Sequence, residues 1–283
     1  MKEKMNKNHK WVFFGTPDIA VSFLDTLAEQ DYYPDMIVTR PDAAAGRKMQ
    51  LQASPVKKWA QQHAIEVFEC DDFSDREKIQ SLLSGYDYFF VFAFGVILPE
   101  WLINLPAGKT LNLHPSLLPH LRGPSPVQTA ILQDKKHTGL TIIQIDHKMD
   151  HGAIVAQEIV TINEWKKYSV HEHQFARRGS LMLLEIIDSY LDGTLLLQDQ
   201  NHDAATYCGF YNKSDMEIRS DMSEREKYLR YCAFSKPFMF DVSGKRYIVT
   251  DARYTDDKFE IIKVIPEGKK EILFSEIDFK IKL

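Results

Sequence analysis

Short runs of bulky apolar residues alternate with amphipathic stretches as far as about residue 205. Trp-Val-Phe-Phe-Gly (11–15) has the bulk of a strand running into a glycine. Thr16-Pro17 follows as helix cap and first helical residue, predicting a helix to about Glu29. Residues 35–40 predict a second strand, and Ser54-Pro55 repeats the cap before a helix ending near His63. Residues 66–70, 87–94 and 110–114 predict further strands. The run Tyr-Phe-Phe-Val-Phe-Ala-Phe is apolar on both faces, as a central strand must be. Val170, Phe175, Leu181, Leu184, Ile187 and Leu191 recur at helical spacing, predicting one long helix over 168–191. Repeated strand-helix-strand units imply an α/β fold: a Rossmann-like, mostly parallel sheet with helices on both faces. Helical periodicity is lost near residue 205. Beyond it, four short β-like runs predict a small β-rich, reduced barrel-like carboxyl-terminal domain. The expected organisation is therefore a frayed polar terminus (1–10), a catalytic domain (11–205) and a small domain (206–283).

Composition changes this picture little. The chain has 283 residues, 44% hydrophobic and 27% charged, which is ordinary for a globular protein of two domains. No apolar run approaches the ~20 residues of a membrane helix. The polar, basic first ten residues are followed by no signal-like apolar segment, and Cys70, Cys208 and Cys232 are odd in number and far apart. Both features predict a soluble cytoplasmic protein. The net charge of −5 hides an asymmetry. Residues 205–283 carry 15 Lys and Arg against 14 Asp and Glu, while the preceding residues carry 20 against 26. RNA contact would then have to use local basic clusters.

The chemistry concentrates between Ala93 and Gly152. Asn112 and His114, two residues apart on a strand, point to the same face. They lie at the strand's carboxyl end, where open α/β sheets place ligand crevices. A proline-rich connection, Pro-Ser-Leu-Leu-Pro-His-Leu-Arg-Gly-Pro-Ser-Pro, follows directly and is stiff. Asp150 comes after another strand, with Gly152 permitting a tight turn. An amide and an imidazole N–H can stabilise the oxyanion of a tetrahedral intermediate, each such donor contributing ~3–4 kcal/mol. A nearby carboxylate can fix the imidazole tautomer and serve, directly or through water, as general base.

Asn112-x-His114, Ser116-Leu117-Leu118-Pro119, Arg122-Gly123 and Asp150-x-Gly152 together resemble the signature of the folate-dependent formyltransferases. The resemblance implies that Asn112, His114 and Asp150 are the catalytic trio and that 10-formyltetrahydrofolate, without a metal, donates the carbon. It implies a folate site at Phe94, Gly95, Val96, Ile97 and Leu98, with Ser116, Leu117, Leu118 and Pro119, and with Ile145 and Asp146 on the opposite wall. Phe14-Gly15-Thr16-Pro17 and the stretch from Arg40 through Gly46-Arg47-Lys48 to Lys57 resemble the branch that formylates methionyl-tRNA. That branch implies acceptor contacts at Gly15, Thr16, Pro17, Arg47, Lys48 and Arg122, and a monomer. Arg47 and Lys48 on a flexible loop can reach phosphates. Three departures stand out: Pro115, His151 beside Asp150, and a carboxyl domain that looks one or two strands short between Tyr254 and Phe259.

Other readings compete for the same residues. His147, Asp150 and His151 invite a zinc reading, but His147 and His151 fall in a predicted loop with no third ligand evident beside Asp150's expected role, so the histidines read as surface groups. Tyr207, Phe210 and Tyr211 read as packing at a domain boundary. The alternative acceptor is a small amine such as a nucleotide-linked amino sugar; a non-catalytic folate- or RNA-binding protein is the third class.

Overall fold

In the computed structural model, which describes residues 9–45 and 50–277, β1 (Trp11–Phe14) is an interior strand of a seven-stranded sheet. The chain divides into two compact units. The first comprises Met1–Arg122, Gly139–Ile159 and His173–Thr206, within the described residues. After β1 come α1 (Asp18–Ala28), β2 (Met36–Thr39), the hairpin strands β3 (Ala43–Ala45) and β4 (Gln50–Gln52), α2 (Pro55–Gln62), β5 (Glu66–Glu69) and α3 (Arg76–Leu83). They are followed by β6 (Tyr88–Val91), α4 (Glu100–Ile103) and β7 (Thr110–His114). Helix α5 (Pro126–Leu132) belongs to the second unit, and β8 (His137–Gln144), β9 (Ile154–Thr161) and α6 (Tyr168–Leu191) each run from one unit into the other.

The sheet order is β5-β2-β1-β6-β7-β8-β9. Its strands are parallel from β5 to β7, and β8 is antiparallel to β7. Alternation explains why β1 and β6 are buried throughout: Phe14 packs on Phe89 and Phe94 on one face, while Phe13 and Phe90 meet Phe23 of α1 on the other. From β1 the chain winds outward through β2 to β5, then returns to build β6 and β7 on the opposite side. The reversal opens a crevice beyond the carboxyl ends of β1 and β6. Phe92 N–H bonds the Phe14 carbonyl there, and the Thr16 hydroxyl donates to the Phe94 carbonyl at 3.2 Å. Thr16 is therefore spent on the neighbouring loop. Helix α1 starts with Pro17 as its cap residue and no side-chain cap, unlike the expected Thr16 cap. Ser54 does cap α2, accepting from Lys57 N–H at 3.0 Å.

The second unit comprises Gly123–Thr138, Val160–Glu172 and Tyr207–Leu283, within the described residues. It adds α7 (Glu224–Ala233) and the strands β10 (Phe238–Phe240), β11 (Arg246–Thr255), β12 (Lys258–Pro266) and β13 (Ile272–Leu273). These strands form an antiparallel sheet in sequential order, an open meander and not a barrel among the described residues. The short connection from β11 to β12 is a reversal at Asp256 and Asp257, both with left-handed φ (51° and 59°). The unit is not confined to residues after 205. Asp134 takes two bonds from Arg225 of α7, at 2.5 and 3.1 Å, and the Trp165 carbonyl accepts from the Tyr228 hydroxyl at 2.7 Å. Residues 123–138 and 160–172, placed by their sequence in the first domain, thus pack with the last 75 or so residues. No helix among the described residues is long and apolar enough to cross a membrane.

Candidate active site

Strand β7 carries Asn112 opposite Ile143 and His114 opposite Thr141 of β8. Asn112 also neighbours Val91 of β6, which places its amide beside the crevice. His114 is 4% exposed. Its Nε2 lies 2.9 Å from the Leu121 carbonyl, an obligate acceptor, so Nε2 carries a proton. Its Nδ1 faces Asp150 Oδ1 at 3.5 Å. The tautomer is thus set by the backbone of the stiff 115–122 connection, whereas the sequence had pointed to the carboxylate.

That stiff connection is held from below. The Thr141 hydroxyl donates to the Ser116 carbonyl at 2.6 Å, and the Leu118 N–H bonds the Thr141 hydroxyl oxygen at 3.2 Å. Ser116 donates to the His120 carbonyl, and Leu118 packs with Ile143 and Ile154. Ser116 and Leu118 thus brace the connection whose Leu121 carbonyl meets His114, and Ser116, Leu117, Leu118 and Pro119 lie outside the lining of the neighbouring cavity.

Asp150 sits in a turn with left-handed φ of 51°, a conformation aspartate tolerates. The turn returns so closely that a Cβ on Gly152 would sit 1.8 Å from the Gln144 carbonyl oxygen. Glycine is required there. His151, which could have met Asp150, turns to Asp146 instead, with Nδ1 2.6 Å from Oδ2. Burial raises the Asp146 carboxyl, but the Lys148 N–H and the His151 ring outweigh it and hold the group below the usual carboxylate range. The His151 ring stacks on His202 at 3.9 Å with 4° between planes.

A cavity of about 170 Å³ opens between Asn112 and the 145–150 loop, with Val96, Ile97 and Leu98 forming its apolar wall. It is smaller than the ~300 Å³ at which pockets enclose a whole ligand, so it suits one ring-sized part of a larger molecule. Of the residues expected at a folate site, Val96, Ile97, Leu98, Ile145 and Asp146 line it. Phe94 does not. It is buried in the core against Phe14 and Phe73, and Gly95 (φ 81°) turns the chain from core to cavity wall. A larger cavity, about 700 Å³, lies within the second unit and is lined by four carboxylates, with Arg219 and Lys227 already paired to Asp221 and Glu224. Asn112 and Asp150 line the smaller cavity, and the His114 ring lies 3.5 Å behind the Asp150 carboxylate; a candidate site is therefore placed there.

The expected acceptor residues scatter. Gly15 is packed against Phe13 and the Phe92 carbonyl, Thr16 bonds Phe94, and Pro17 opens α1. Arg47 and Lys48 lie outside the described residues, between the hairpin strands β3 and β4. Arg122 cannot meet an incoming phosphate, being 2% exposed and bonded to Gln200 and His202. Gln200 and His202 escaped sequence reading because the stretch around them has no periodicity and their partners are some eighty residues away. Tyr207 and Phe210 are 71% and 85% exposed, so they do not provide the packing expected of them. Among the described residues no group of three or more His, Cys, Asp or Glu side chains is arranged to hold a metal.

The family model for formyl transferase matches residues 9–187. The chain belongs to the formyl transferase family. This formyltransferase is 35% identical over 255 residues to methionyl-tRNA formyltransferase of Sulfurihydrogenibium sp. (strain YO3AOP1), covering 89% of this chain and 79% of that protein. It is 38% identical over 197 residues to the methionyl-tRNA formyltransferase of Bacillus pumilus (strain SAFR-032), covering 69% and 62% respectively. Among solved structures it shares its fold with a methionyl-tRNA formyltransferase from Clostridium thermocellum (TM-score 0.62, 15% identity, 91% of this chain and 99% of that one). It also shares it with a 4-N formyltransferase from Francisella tularensis (TM-score 0.64, 22% identity, 86% and 97%).

Proposed function

We propose that this formyltransferase, a soluble cytoplasmic monomer, moves the formyl group of 10-formyltetrahydrofolate to the α-amine of methionyl-tRNA. The observation that carries the chemistry is the His114 Nδ1 to Asp150 Oδ1 approach of 3.5 Å, with Asp150 and Asn112 lining one cavity. The pterin ring occupies that cavity against Val96, Ile97 and Leu98. The acceptor amine attacks the formyl carbon and produces a tetrahedral oxyanion. The Asn112 amide donates to this oxygen. The His114 ring, with Nε2–H fixed on Leu121, has Nδ1 available to take the proton shed by the attacking nitrogen. Asp150 then stabilises the imidazolium so formed, and the proton leaves on the departing folate nitrogen. No covalent nucleophile is needed. Similarity to methionyl-tRNA formyltransferases over most of their length supports the acceptor.

The deciding assay supplies purified protein with 10-formyltetrahydrofolate and either methionyl-tRNA or a panel of nucleotide-linked amino sugars. Formylation of the tRNA alone is expected. Formylation of an amino sugar with none of the tRNA would overturn the acceptor and leave the chemistry standing.

A further inference from the structure

Asp150 is carried by an exposed turn, yet the proposed chemistry needs its carboxylate held beside the His114 ring. The structure contains a device suited to that task. Gln200, 5% exposed, donates from its amide nitrogen to the carbonyls of both Asp150 (2.9 Å) and Gly152 (2.7 Å). Its amide oxygen accepts from Nε and a terminal nitrogen of Arg122, at 3.2 and 2.7 Å. The orientation of the amide is therefore unambiguous. Flipped, it would set donors against the guanidinium and an oxygen against two carbonyls. Paired backbone bonds between Ile154 and Gln198 lay the two segments side by side, so the Gln200 amide meets the turn squarely.

Arg122 is fixed in turn. Its backbone N–H bonds the Thr206 carbonyl, and a terminal nitrogen donates to His202 Nδ1 at 2.9 Å. Since arginine has no acceptor, that His202 nitrogen holds a lone pair. The same imidazole stacks on His151, whose ring is anchored on Asp146. The turn is thus gripped through the carbonyls of Asp150 and Gly152, on either side of His151, and through the His151 side chain.

We propose that Gln200, oriented by the buried Arg122, is a positioning residue that holds the Asp150 carboxylate in register with His114 for formyl transfer. The proposal rests on the catalytic reading of Asp150. It assigns Arg122 an internal duty in place of contact with the acceptor.

The test compares Asp150→Asn, Gln200→Ala, Gln200→Glu and the Asp150→Asn/Gln200→Ala double variant, by steady-state and single-turnover formyl transfer. Gln200→Glu keeps a partner for Arg122 and so guards against misfolding, but it lacks the amide donors to the two carbonyls. Each Gln200 variant should lower kcat about 10- to 100-fold, with KM for folate and acceptor within about twofold. In the Asp150→Asn background the same change should cost no more than about twofold, because the carboxylate it positions is gone. A crystal structure of Gln200→Glu should show the 3.5 Å His114 to Asp150 approach lost. Native turnover in Asp150→Asn would sink the catalytic reading of that residue. A slow Asp150→Asn with a Gln200→Glu of native kcat would overturn the positioning proposal alone, as would penalties that multiply in the double variant or an unmoved carboxylate.

Discussion

His114 has one ring nitrogen committed to a carbonyl and the other turned to a carboxylate, so its replacement removes a proton carrier and leaves the strand intact. His114→Ala should lower turnover by at least ~10²-fold, with circular dichroism and melting temperature close to the parent. Normal turnover would strip the residue of its role. Glu172, in the second unit, offers a separate prediction. Burial raises its carboxyl to about 8, and its oxygen accepts from the Tyr168 hydroxyl. Between pH ~4.5 and ~8 the unfolded chain releases a proton that the folded chain retains, so this group lowers stability as pH rises through that window. Glu172→Gln should melt with the parent near pH 4.5 and a few degrees above it near pH 8.5, where ~1 kcal/mol corresponds to about 2–4 °C at this size. Equal melting at both pH values would remove the buried carboxyl from the account. Strand spacing and a motif singled out Asn112, His114 and Asp150, and the structure brings His114 within 3.5 Å of Asp150 with Asn112 lining the same cavity as Asp150. Nothing singled out Gln200, since its importance lies in carbonyls fifty residues away that no local pattern records.

At the scale of elements, apolar runs and the Ser54-Pro55 cap predicted the strands and helices of the parallel sheet, for each is determined within a few residues. The hairpin of β3 and β4 was not anticipated, because Ala43–Ala45 has no strand alternation. Helix α7 also went unseen in a stretch with a weak apolar stripe, though Ser223 and Glu226 form a capping box at its start. The turn after β8 depends most on a single residue. A Cβ on Gly152 meets backbone, which cannot swing aside as a side chain would. Gly152→Ala should therefore displace Asp150 and reduce kcat at least ~10-fold, and kinetics paired with a thermal melt will show whether activity falls more steeply than stability. Unchanged kcat would mean that the turn is more pliable than its close return implies.

The whole molecule has two electrostatic and topological properties that sequence order conceals. Transfer to an RNA acceptor implies phosphate contacts, so the apparent KM for methionyl-tRNA should rise steeply between 50 and 200 mM salt while that for folate changes little. A flat salt response would argue for a small acceptor. Periodicity predicted a boundary near residue 205 but could not reveal that α5 and Trp165 pack with later residues, since burial partners far along the chain leave no local trace. A fragment ending at residue 205 should accordingly expose apolar surface, bind the dye ANS and aggregate; a monomeric, cooperatively melting fragment would refute this. The interleaving also bears on synthesis. Asp134 and Trp165 leave the ribosome well before Arg225 and Tyr228 exist. At ~5–20 residues per second the nascent chain carries those unmatched surfaces for roughly 3–20 s. A holdase that shields them over this interval should raise the yield of native protein, whereas slowed elongation through the final stretch should lower it.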